Sequence, residues 1–403
     1  MLGGGLTGLG TALELVKHGT KVALVEQDNL PMNRTSLRNE GKVHLGFIYA
    51  NDRTFATARL QLQGALQFRA LLARWIGARA NSLRRSTPFV YLVTTGSLLC
   101  SDELAGHYAA VERDCADHLS QAPDLDYLGD RPKRLFHPCA LSNLKPLLKI
   151  DGLAAAFRTE ERAIDTDELA RALRAAVRDA TEIRLLAQRT VESVTRHRER
   201  FRIEGSEPGG RWQLDAGQVV NATWENRLAI DETVGLRSEP GWVHRLKYRI
   251  IARVPERLRQ GPSVTMVLGP YGDVVIRPDG TAYLSWYPVG MRGWTHELAP
   301  PASWAGPCRG ELADDDRRSV AAGVLGAIDE WYPGIGASQP LLVDAGVIVA
   351  YGRTDVGDTA SQLHDRSRIG VTSKDGYHSV DPGKLTTAPL FAKLAADRVL
   401  QHG

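Results

Sequence analysis

The feature that most constrains this chain is a glycine motif at its start. The first residues read MLGGGLTGLG, in which Gly3, Gly5 and Gly8 form the pattern G-x-G-x-x-G. Apolar residues then recur at intervals of three and four, which predicts a helix, and a short β-rich run, KVALV, ends at Glu26. This order of tight turn, helix, strand and terminal acid predicts the first unit of a dinucleotide-binding fold.

Each position of the motif has a physical role. Gly3 permits the tight turn, Gly5 lets a pyrophosphate approach the backbone, and Gly8 lets the helix pack close to the sheet. The helix N-terminus presents unpaired N–H groups and a partial positive charge to the phosphates. Glu26 is placed to accept hydrogen bonds from a ribose diol and would repel a 2′-phosphate, which favours an unphosphorylated adenosine ribose.

The strand that should precede the turn is short. A strand of about five residues, central in a parallel sheet, is expected before Gly3, yet only Met1 and Leu2 stand there. We therefore expect the first strand to be truncated, with residues before Met1 lost through a misassigned start or by trimming.

Composition excludes several other classes of protein. Hydrophobic residues at 43% and charged residues at 24% are typical of globular proteins, and 50 Lys and Arg against 47 Asp and Glu give no reason to expect a nucleic-acid partner. The sequence has no uninterrupted apolar run of about 20 residues, so no transmembrane segment is expected. Four widely spaced cysteines predict reduced thiols, no zinc site and a cytoplasmic location. Peripheral membrane contact through basic or Trp-rich loops, and the oligomeric state, stay open.

Two further segments identify a family. The loop after the Glu26 strand carries KVHLG at positions 42–46, and PGKLTT stands at positions 382–387 before an amphipathic helix. Both resemble the D-amino-acid-oxidase-like superfamily of FAD enzymes, nearest its glycerol-3-phosphate dehydrogenase branch, where Lys-Leu-Ile-His-Gly-Gly and Gly-Gly-Lys-Leu-Thr-Thr occupy these places. In that family the second segment faces the N1–C2=O end of the flavin, and a lysine at a helix start is suited to the charge that accumulates there.

Two mid-chain pieces fit the same plan. A helix is predicted over Ala163–Val177, with Asp165 or Thr166 as its N-cap, followed by a strand over Arg189–Val194. The segment QVVNATWEN at 218–226 resembles the returning strand that ends in Asn-Ala-x-Gly, but Trp224 replaces the glycine. The indole would either stack in the site or fill the core, and the sequence leaves both open.

The resemblance implies a set of FAD contacts spread over these blocks, with Val191 at the adenine. The implied contacts are Gly3, Gly5, Leu6, Thr7, Gly8, Glu26, Gln27, Arg34, Thr35, Ser36, Lys42, Val43, His44, Val191, Ala222, Thr223, Trp224, Gly383, Lys384, Leu385 and Thr386.

The expected fold class is α/β, α+β overall. A Rossmann-like FAD-binding domain is predicted from residues 1–52, 151–235 and 341–403. A substrate or cap domain is predicted from 53–150 and 236–340, with a mostly helical first part and a mixed or antiparallel sheet in the second. The stretch 288–310 is predicted to be a loop because it is rich in Pro, Gly and Trp.

Oxidation by a flavin needs a C–H bond over N5, a base, and cations if the substrate is acidic. His44 is the first candidate for this chemistry, Arg353 is the candidate anion clamp, and Tyr377 and His378 are candidates on the loop expected to reach the flavin. Weaker candidates for the pocket wall are Tyr49, Arg249 and Tyr287. The spacing of Asp355, Asp358, His364 and Asp365 matches no metal-ligand set, so no metal site is predicted.

The sequence therefore predicts an FAD-dependent dehydrogenase or oxidase. It would oxidise a CH–OH or CH–NH group of a small, anionic substrate by hydride transfer to flavin N5, with the electrons passing to an unidentified acceptor. Two alternatives stay open: an FAD-binding scaffold without turnover, suggested by Trp224 and the short first strand, and a flavin monooxygenase, which NADPH-dependent oxygen uptake would distinguish.

Overall fold

The computed structural model of the protein describes residues 1–401. Its helices and strands alternate along the first and last parts of the chain, while strands dominate the middle. The helices are α1 (Leu6–Val16), α2 (Ala56–Ile76), α3 (Arg79–Ser82), α4 (Ser101–Gln121), α5 (Thr166–Asp179), α6 (Arg227–Thr233), α7 (Tyr287–Gly290), α8 (Ala305–Arg309), α9 (Asp314–Asp329) and α10 (Ala388–Gln401).

The strands form a parallel-rich sheet, a small meander, a two-stranded pair and one large mixed sheet. They are β1 (Val22–Val25), β2 (Lys42–Val43), β3 (Phe89–Thr94), β4 (Phe136–Pro138), β5 (Leu153–Thr159), β6 (Arg162–Ala163), β7 (Ile183–Leu186), β8 (Thr190–His197), β9 (Arg200–Glu207), β10 (Gly210–Ala216), β11 (Val219–Asn221), β12 (Trp242–Arg253), β13 (Ser263–Val267), β14 (Gly272–Ile276), β15 (Thr281–Trp286), β16 (Met291–Thr295), β17 (Gln339–Tyr351), β18 (Gly370–Lys374) and β19 (Tyr377–Asp381).

The parallel-rich sheet lies beside the glycine motif. β1 pairs in parallel with β7, β11 pairs in parallel with β19, and β18 joins β19 in antiparallel fashion. Leu2 connects the two pairs because it makes parallel bridges to both Val25 and Asn221. A single residue thus holds the place of the expected first strand, and α1 packs on the sheet with α2, α5 and α10 around it.

The helix predicted over 163–177 is α5, and the structure decides between its two candidate caps. The side chain of Asp165 accepts hydrogen bonds from the backbone N–H groups of Asp167 and Glu168. Asp165 is therefore the N-cap, while Thr166 is the first residue of the helix.

The large mixed sheet runs in the order β16–β12–β15–β14–β13–β3–β5–β4, with β17 along the other edge of β12. Three of its strands differ from the sequence expectations, and β4, like β3, lies in the part predicted to be mostly helical. The short apolar run FVYLVT of β3 forms a strand because it is rich in β-branched and aromatic residues. β16 lies in the stretch predicted to be a loop. It forms a strand there because it pairs with β12 from His244 to Lys247.

The residues of β12 alternate between two environments, as a strand with period two requires. Leu246 and Ile250 point to the core that the sheet forms with α9. Arg245 and Lys247 point to the opposite face and line a cavity. The sequence R-L-K-Y-R-I therefore turns one face of this strand to a hydrophobic core and the other, with its cations, to the site.

Two strands join the large sheet from outside the segments predicted to build it. β5 and β17 belong to the large sheet, although the boundaries at 150/151 and 340/341 assign them to the FAD-binding part. The two-domain division stays a prediction, and the last two residues of its 341–403 segment lie outside the described residues. No helix in residues 1–401 combines the length and apolar character needed to cross a bilayer.

Candidate active site

A cavity of about 340 Å³ lies between the parallel-rich sheet and the cation-bearing face of the large sheet. This volume falls in the range of small-molecule and cofactor sites. Its wall includes most of the residues implied by the sequence, namely Gly3, Gly5, Leu6, Thr7, Glu26, Gln27, Arg34, Thr35, Ser36, Lys42, His44, Val191, Ala222, Thr223, Trp224, Gly383, Lys384 and Leu385.

The glycine motif forms a tight turn. Gly3 has a φ of +91°, which favours glycine, and a Cβ there would lie 2.5 Å from the carbonyl oxygen of Ala222. A Cβ on Gly8 would lie 1.9 Å from the carbonyl oxygen of Gly3, so the start of α1 packs directly against the turn. Any side chain at these two positions would push the turn, the helix and the sheet apart.

The start of α1 faces the cavity. Gly5 precedes the helix without a side-chain cap, and the N–H of Leu6 donates to the hydroxyl of Ser36 at 3.0 Å. A Cβ on Gly5 would lie 2.9 Å from the Ser36 oxygen, so a side chain would fill this main-chain cradle. The N–H groups and partial positive charge at this end suit a pyrophosphate.

Glu26 lines the same cavity at the end of β1. Its two carboxylate oxygens accept hydrogen bonds from the N–H groups of Gly4, at 2.7 Å, and Asp28, at 2.9 Å. Burial raises the pKa of Glu26 to about 7, against the opposing effect of these N–H donors. Each oxygen retains a lone pair for a further donor such as a ribose hydroxyl.

The polar loop after β1 is held by contacts of its own. Arg34 forms ion pairs with Asp28, at 3.0 Å, and Glu225, at 2.7 Å. The hydroxyl of Thr35 donates to the carbonyl oxygen of Val347 at 3.2 Å. These contacts fix both side chains at the cavity wall.

His44 is buried between two carboxylates. Its Nε2 lies 3.7 Å from Glu40 Oε1 and its Nδ1 lies 3.9 Å from Glu161 Oε2, and neither ring nitrogen has a hydrogen-bond partner among residues 1–401. The backbone N–H of His44 donates to the hydroxyl of Thr386 at 2.9 Å, which fixes the main chain. An imidazole in this setting is able to accept a proton from a ligand and hold it between two acidic groups.

The neighbours of His44 in the KVHLG segment have different roles. The ammonium of Lys42 is fully buried, pairs with Asp273 at 2.8 Å and donates to the hydroxyl of Thr265. Val43 is outside the cavity lining and packs in the core, where its carbonyl oxygen accepts a hydrogen bond from Tyr127 at 2.8 Å.

The PGKLTT segment places a second lysine at the cavity. Gly383 has a φ of +64°, and Lys384 and Leu385 line the wall, whereas Thr386 is buried behind it. Burial lowers the pKa of Lys384 to about 8, although the carboxylate of Glu40 acts in the opposite direction. α10 begins four residues later than Lys384, at Ala388.

Trp224 lies at the site and also fills the core, which are the two alternatives that the sequence left open. Its backbone has a φ of +56°, and its indole N–H donates to the carbonyl oxygen of Val347 at 2.8 Å. The side chain both lines the cavity and packs on the core of the large sheet.

Three candidates for catalysis lie outside the cavity lining. Arg353 is exposed on the loop after β17. Tyr377 and His378 are buried in β19, where Tyr377 donates to Asp231 at 2.8 Å and the His378 ring contacts the Ser373 hydroxyl at 2.8 Å. These two residues belong to the parallel-rich sheet itself, because the chain reaches the cavity only after β19 ends.

Of the three weaker candidates for the pocket wall, two line the cavity and one does not. Tyr49 and Tyr287 line the cavity, but Arg249 is buried in an ion pair with Asp344 at 2.6 Å and does not. Among residues 1–401, no group of three His, Cys, Asp or Glu side chains is arranged to hold a metal ion.

Arg245 is a cavity residue that the sequence analysis missed. Its side chain is only 2% exposed, and its Nη1 donates to the hydroxyl of Tyr287 at 3.0 Å. Its Nε has no hydrogen-bond partner within the described residues. The signal that could have found it is the alternation of cations with apolar residues in β12.

Arg366, also missed, lies at the cavity next to Arg245. Two of its nitrogens donate to the carbonyl oxygens of Leu363 and Val349, both at 3.1 Å. Burial, followed by the neighbouring charge of Arg245, lowers the pKa of Arg366 to about 10. Two buried guanidinium groups therefore lie close enough to repel each other, and the carboxylate of Asp355, 3.8 Å from Arg245, is half exposed. This arrangement attracts an anion.

Comparisons with known proteins agree with this geometry. The family model described as FAD dependent oxidoreductase, abbreviated DAO, matches residues 2–398. A search of curated proteins gives no significant match.

Solved structures match over nearly the whole chain. Glycine oxidase from Geobacillus kaustophilus has 17% identity and a TM-score of 0.69, with 100% of this chain and 94% of that chain covered. L-alpha-glycerophosphate oxidase from Mycoplasma pneumoniae, with FAD bound, has 16% identity and a TM-score of 0.66, with 99% and 92% covered. Iminodiacetate oxidase from Chelativorans sp. BNC1 has 16% identity and a TM-score of 0.66, with 100% and 95% covered. At these identities the likeness concerns the fold.

Proposed function

We propose that this chain, which belongs to the family of FAD-dependent oxidoreductases, oxidises a CH–OH or CH–NH group of a small anionic molecule. The observation that carries the proposal is the buried pair of Arg245 and Arg366 at the cavity wall, where Arg245 Nε has no hydrogen-bond partner among residues 1–401. The three structural relatives are named for glycine, glycerophosphate and iminodiacetate, which are all acids, and this agrees with an anionic substrate.

The residues of the cavity fit FAD. The cradle of Gly3 and Gly5, with Gly8 packed behind it, would accept a pyrophosphate that side chains would exclude, and Glu26 would provide acceptors for the ribose. Lys384 lines the same cavity, and we propose that it would face the part of the flavin where negative charge develops on reduction. When bound, FAD supplies an acceptor for the two electrons of the C–H bond that is oxidised, and we propose that they move as a hydride.

The side chains of this protein would position the substrate and move its proton. Arg245 and Arg366 would hold the acidic group, with the hydroxyl of Tyr287 orienting Arg245 through the 3.0 Å hydrogen bond. His44 would accept the proton of the substrate hydroxyl or amine, because its ring lines the cavity and the carboxylates of Glu40 and Glu161, at 3.7 and 3.9 Å from its two nitrogens, would stabilise the resulting charge.

The experiment is anaerobic reduction of the FAD-loaded enzyme by a panel of hydroxy acids, polyol phosphates and amino acids, followed by absorbance at the flavin band. Loss of the band without NADPH supports the proposal and argues against a monooxygenase. If no compound of the panel bleaches a fully loaded enzyme, the proposal is wrong and an FAD-binding scaffold is favoured.

A pair of arginine variants tests the anion site. Arg245→Met is expected to raise the KM or Kd for the active anion about 10- to 100-fold, because hydrogen bonds to charged groups contribute about 1.5–3 kcal/mol each. Arg353→Met is the matched control, since that arginine is exposed and outside the cavity lining. Equal effects of the two substitutions would contradict the assignment.

A further inference from the structure

Asp355 lies at the edge of the cavity, where the buried arginine pair meets solvent. It stands on the loop after β17, and its side chain is 50% exposed. Its Oδ1 lies 3.8 Å from Nη1 of Arg245, whose side chain is only 2% exposed. The next residue, Val356, lines the cavity, whereas Asp355 itself is outside the lining. The carboxylate therefore reaches the proposed anion site from its solvent side.

Hydrogen bonds connect this carboxylate to the arginine through Tyr287. Arg245 Nη1 donates to the Tyr287 hydroxyl at 3.0 Å, and that hydroxyl donates to Oδ1 of Asp355 at 2.5 Å. Burial raises the pKa of Tyr287 to about 12, so the phenol carries no charge at neutral pH. The backbone N–H of Val356 also donates to Oδ1 of Asp355, at 2.7 Å. Two hydrogen bonds therefore hold the Asp355 carboxylate beside Arg245.

Asp355 neutralises the arginine pair only in part, and the other charges nearby have partners of their own. It is the one carboxylate among residues 1–401 at ion-pair distance from either guanidinium of the pair. Asp381 also acts on Arg366, but it is buried in an ion pair with another arginine, at 2.9 Å. The ammonium of Lys384 is a third cation, and Glu40 acts on it more strongly than either arginine does. The pair therefore keeps an excess of positive charge.

An anion bound to the two arginines would be repelled by the charge of Asp355. Coulomb energy is proportional to each charge, so a doubly charged group is repelled twice as strongly as a singly charged group at the same place. Because Asp355 is half exposed, water and salt reduce this repulsion without removing it. His364, on the same loop, lines the cavity but adds no full positive charge at neutral pH, because burial lowers its pKa.

We infer that Asp355 is a specificity-determining residue of the anion site. Its carboxylate makes the site discriminate by charge, against a doubly charged acidic group such as a phosphate dianion relative to a singly charged one. The inference rests on the proposed function, because it takes Arg245 and Arg366 as the groups that hold the anion. It gives the loop after β17 a role in selecting the ligand.

The test uses two anions of closely similar shape. Methanesulfonate and sulfate share a tetrahedral sulfur with three oxygens, and they carry one and two negative charges at neutral pH. The FAD-loaded enzyme is titrated with each anion at constant ionic strength, while flavin absorbance and calorimetry report the Kd.

Asp355→Asn removes the charge and retains the contacts of the loop. Both hydrogen bonds to the carboxylate end on Oδ1, and an amide oxygen is able to accept them. The Kd for methanesulfonate is expected to fall about threefold, the size of effect that one partly exposed charge produces. The Kd for sulfate is expected to fall about ninefold, because a doubled repulsion energy squares the factor.

Asp358→Asn is the matched control. Asp358 is an exposed carboxylate of the same loop, outside the cavity lining, and its Oδ1 accepts a hydrogen bond from the N–H of Ala360 at 2.9 Å. This substitution is expected to leave both Kd values unchanged. Asp355→Ser removes the same charge through a different side chain and supplies a second measurement if Asp355→Asn folds poorly.

The Arg245→Met variant separates the inference from the proposed function. If it lowers the affinity for both anions while Asp355→Asn weakens their binding or leaves the ratio of the two Kd values unchanged, the inference is wrong and the proposed anion site stands. If Arg245→Met binds both anions as the wild type does, or if neither anion binds to the wild type, the anion site is wrong and the inference fails with it.

Discussion

Because Gly8 lies so close to the turn at Gly3, we expect one added methyl group at this position to lower the stability of the protein considerably. In the structure a Cβ on Gly8 would lie 1.9 Å from the carbonyl oxygen of Gly3, whereas ordinary van der Waals contact begins at 3.4 Å. In Gly8→Ala the helix start and the turn must therefore separate by roughly 1.5 Å, in a region as closely packed as an organic crystal. Overpacking of this kind typically destabilises by about 1–3 kcal/mol, and we expect the upper end because both contacting groups are backbone.

The same displacement moves the N–H groups of α1 away from the place where a pyrophosphate would lie. We therefore expect Gly8→Ala to lose FAD as well as stability. Urea unfolding of the apoprotein measures the loss of stability, and fluorescence titration with FAD measures the loss of FAD affinity.

Gly106→Ala is the matched control. Gly106 lies on the exposed side of α4, and a Cβ there would meet nothing within 4 Å. This substitution is expected to stabilise the protein by about 0.5–1 kcal/mol, because alanine favours helix over glycine, and to leave FAD affinity unchanged. If Gly8→Ala unfolds at the same urea concentration as the wild type and retains FAD, the reasoning from the contact distance is refuted.

Two further predictions concern titration and proton transfer. The folded-state pKa of Glu26, about 7, lies above the ordinary 4.5, so ionisation of Glu26 opposes folding of the apoprotein increasingly between pH 4.5 and 7. The stability of the wild type relative to Glu26→Gln should fall across this window by up to about 1.4 kcal/mol per pH unit, and a difference independent of pH would contradict it. His44→Asn should slow anaerobic flavin reduction at least about 100-fold with little change in anion binding. His137→Asn, on the exposed part of β4, serves as its control, and an unaltered reduction rate in His44→Asn would remove His44 from the chemistry.

The prediction from sequence succeeds where the signal is local. The glycine spacing, the apolar repeat of α1 and the cap of α5 each arise within a few residues, and the family model covers residues 2–398. Within the candidate site, the implied contacts near the two chain ends mostly line the cavity, because short segments with fixed turn geometry carry them. Three implied contacts lie behind the lining instead: Gly8 packs against the turn, Val43 packs in the core, and the Thr386 hydroxyl bonds the backbone of His44.

The sequence analysis missed the two arginines of the proposed anion site because the tertiary fold alone brings them together: Arg245 lies on β12 and Arg366 on the loop before β18. Arg245 and Arg366 are 121 positions apart in numbering, and a strand pattern with period two does not say which of its faces meets the cofactor. Arg249 has the same alternation as Arg245 and Lys247, yet Asp344 from the neighbouring strand β17 neutralises it. Arg353, chosen by loose resemblance, lies on an exposed loop.

The sequence by itself thus determined a dinucleotide-binding unit, a flavin enzyme family and most of the segments that line the cavity, since these depend on local turns, caps and spacing. The tertiary structure alone decided which cations stay unneutralised in the cavity and which are buried in ion pairs. The physical reason is that charge compensation depends on the partner across the sheet, and that partner is distant in the chain.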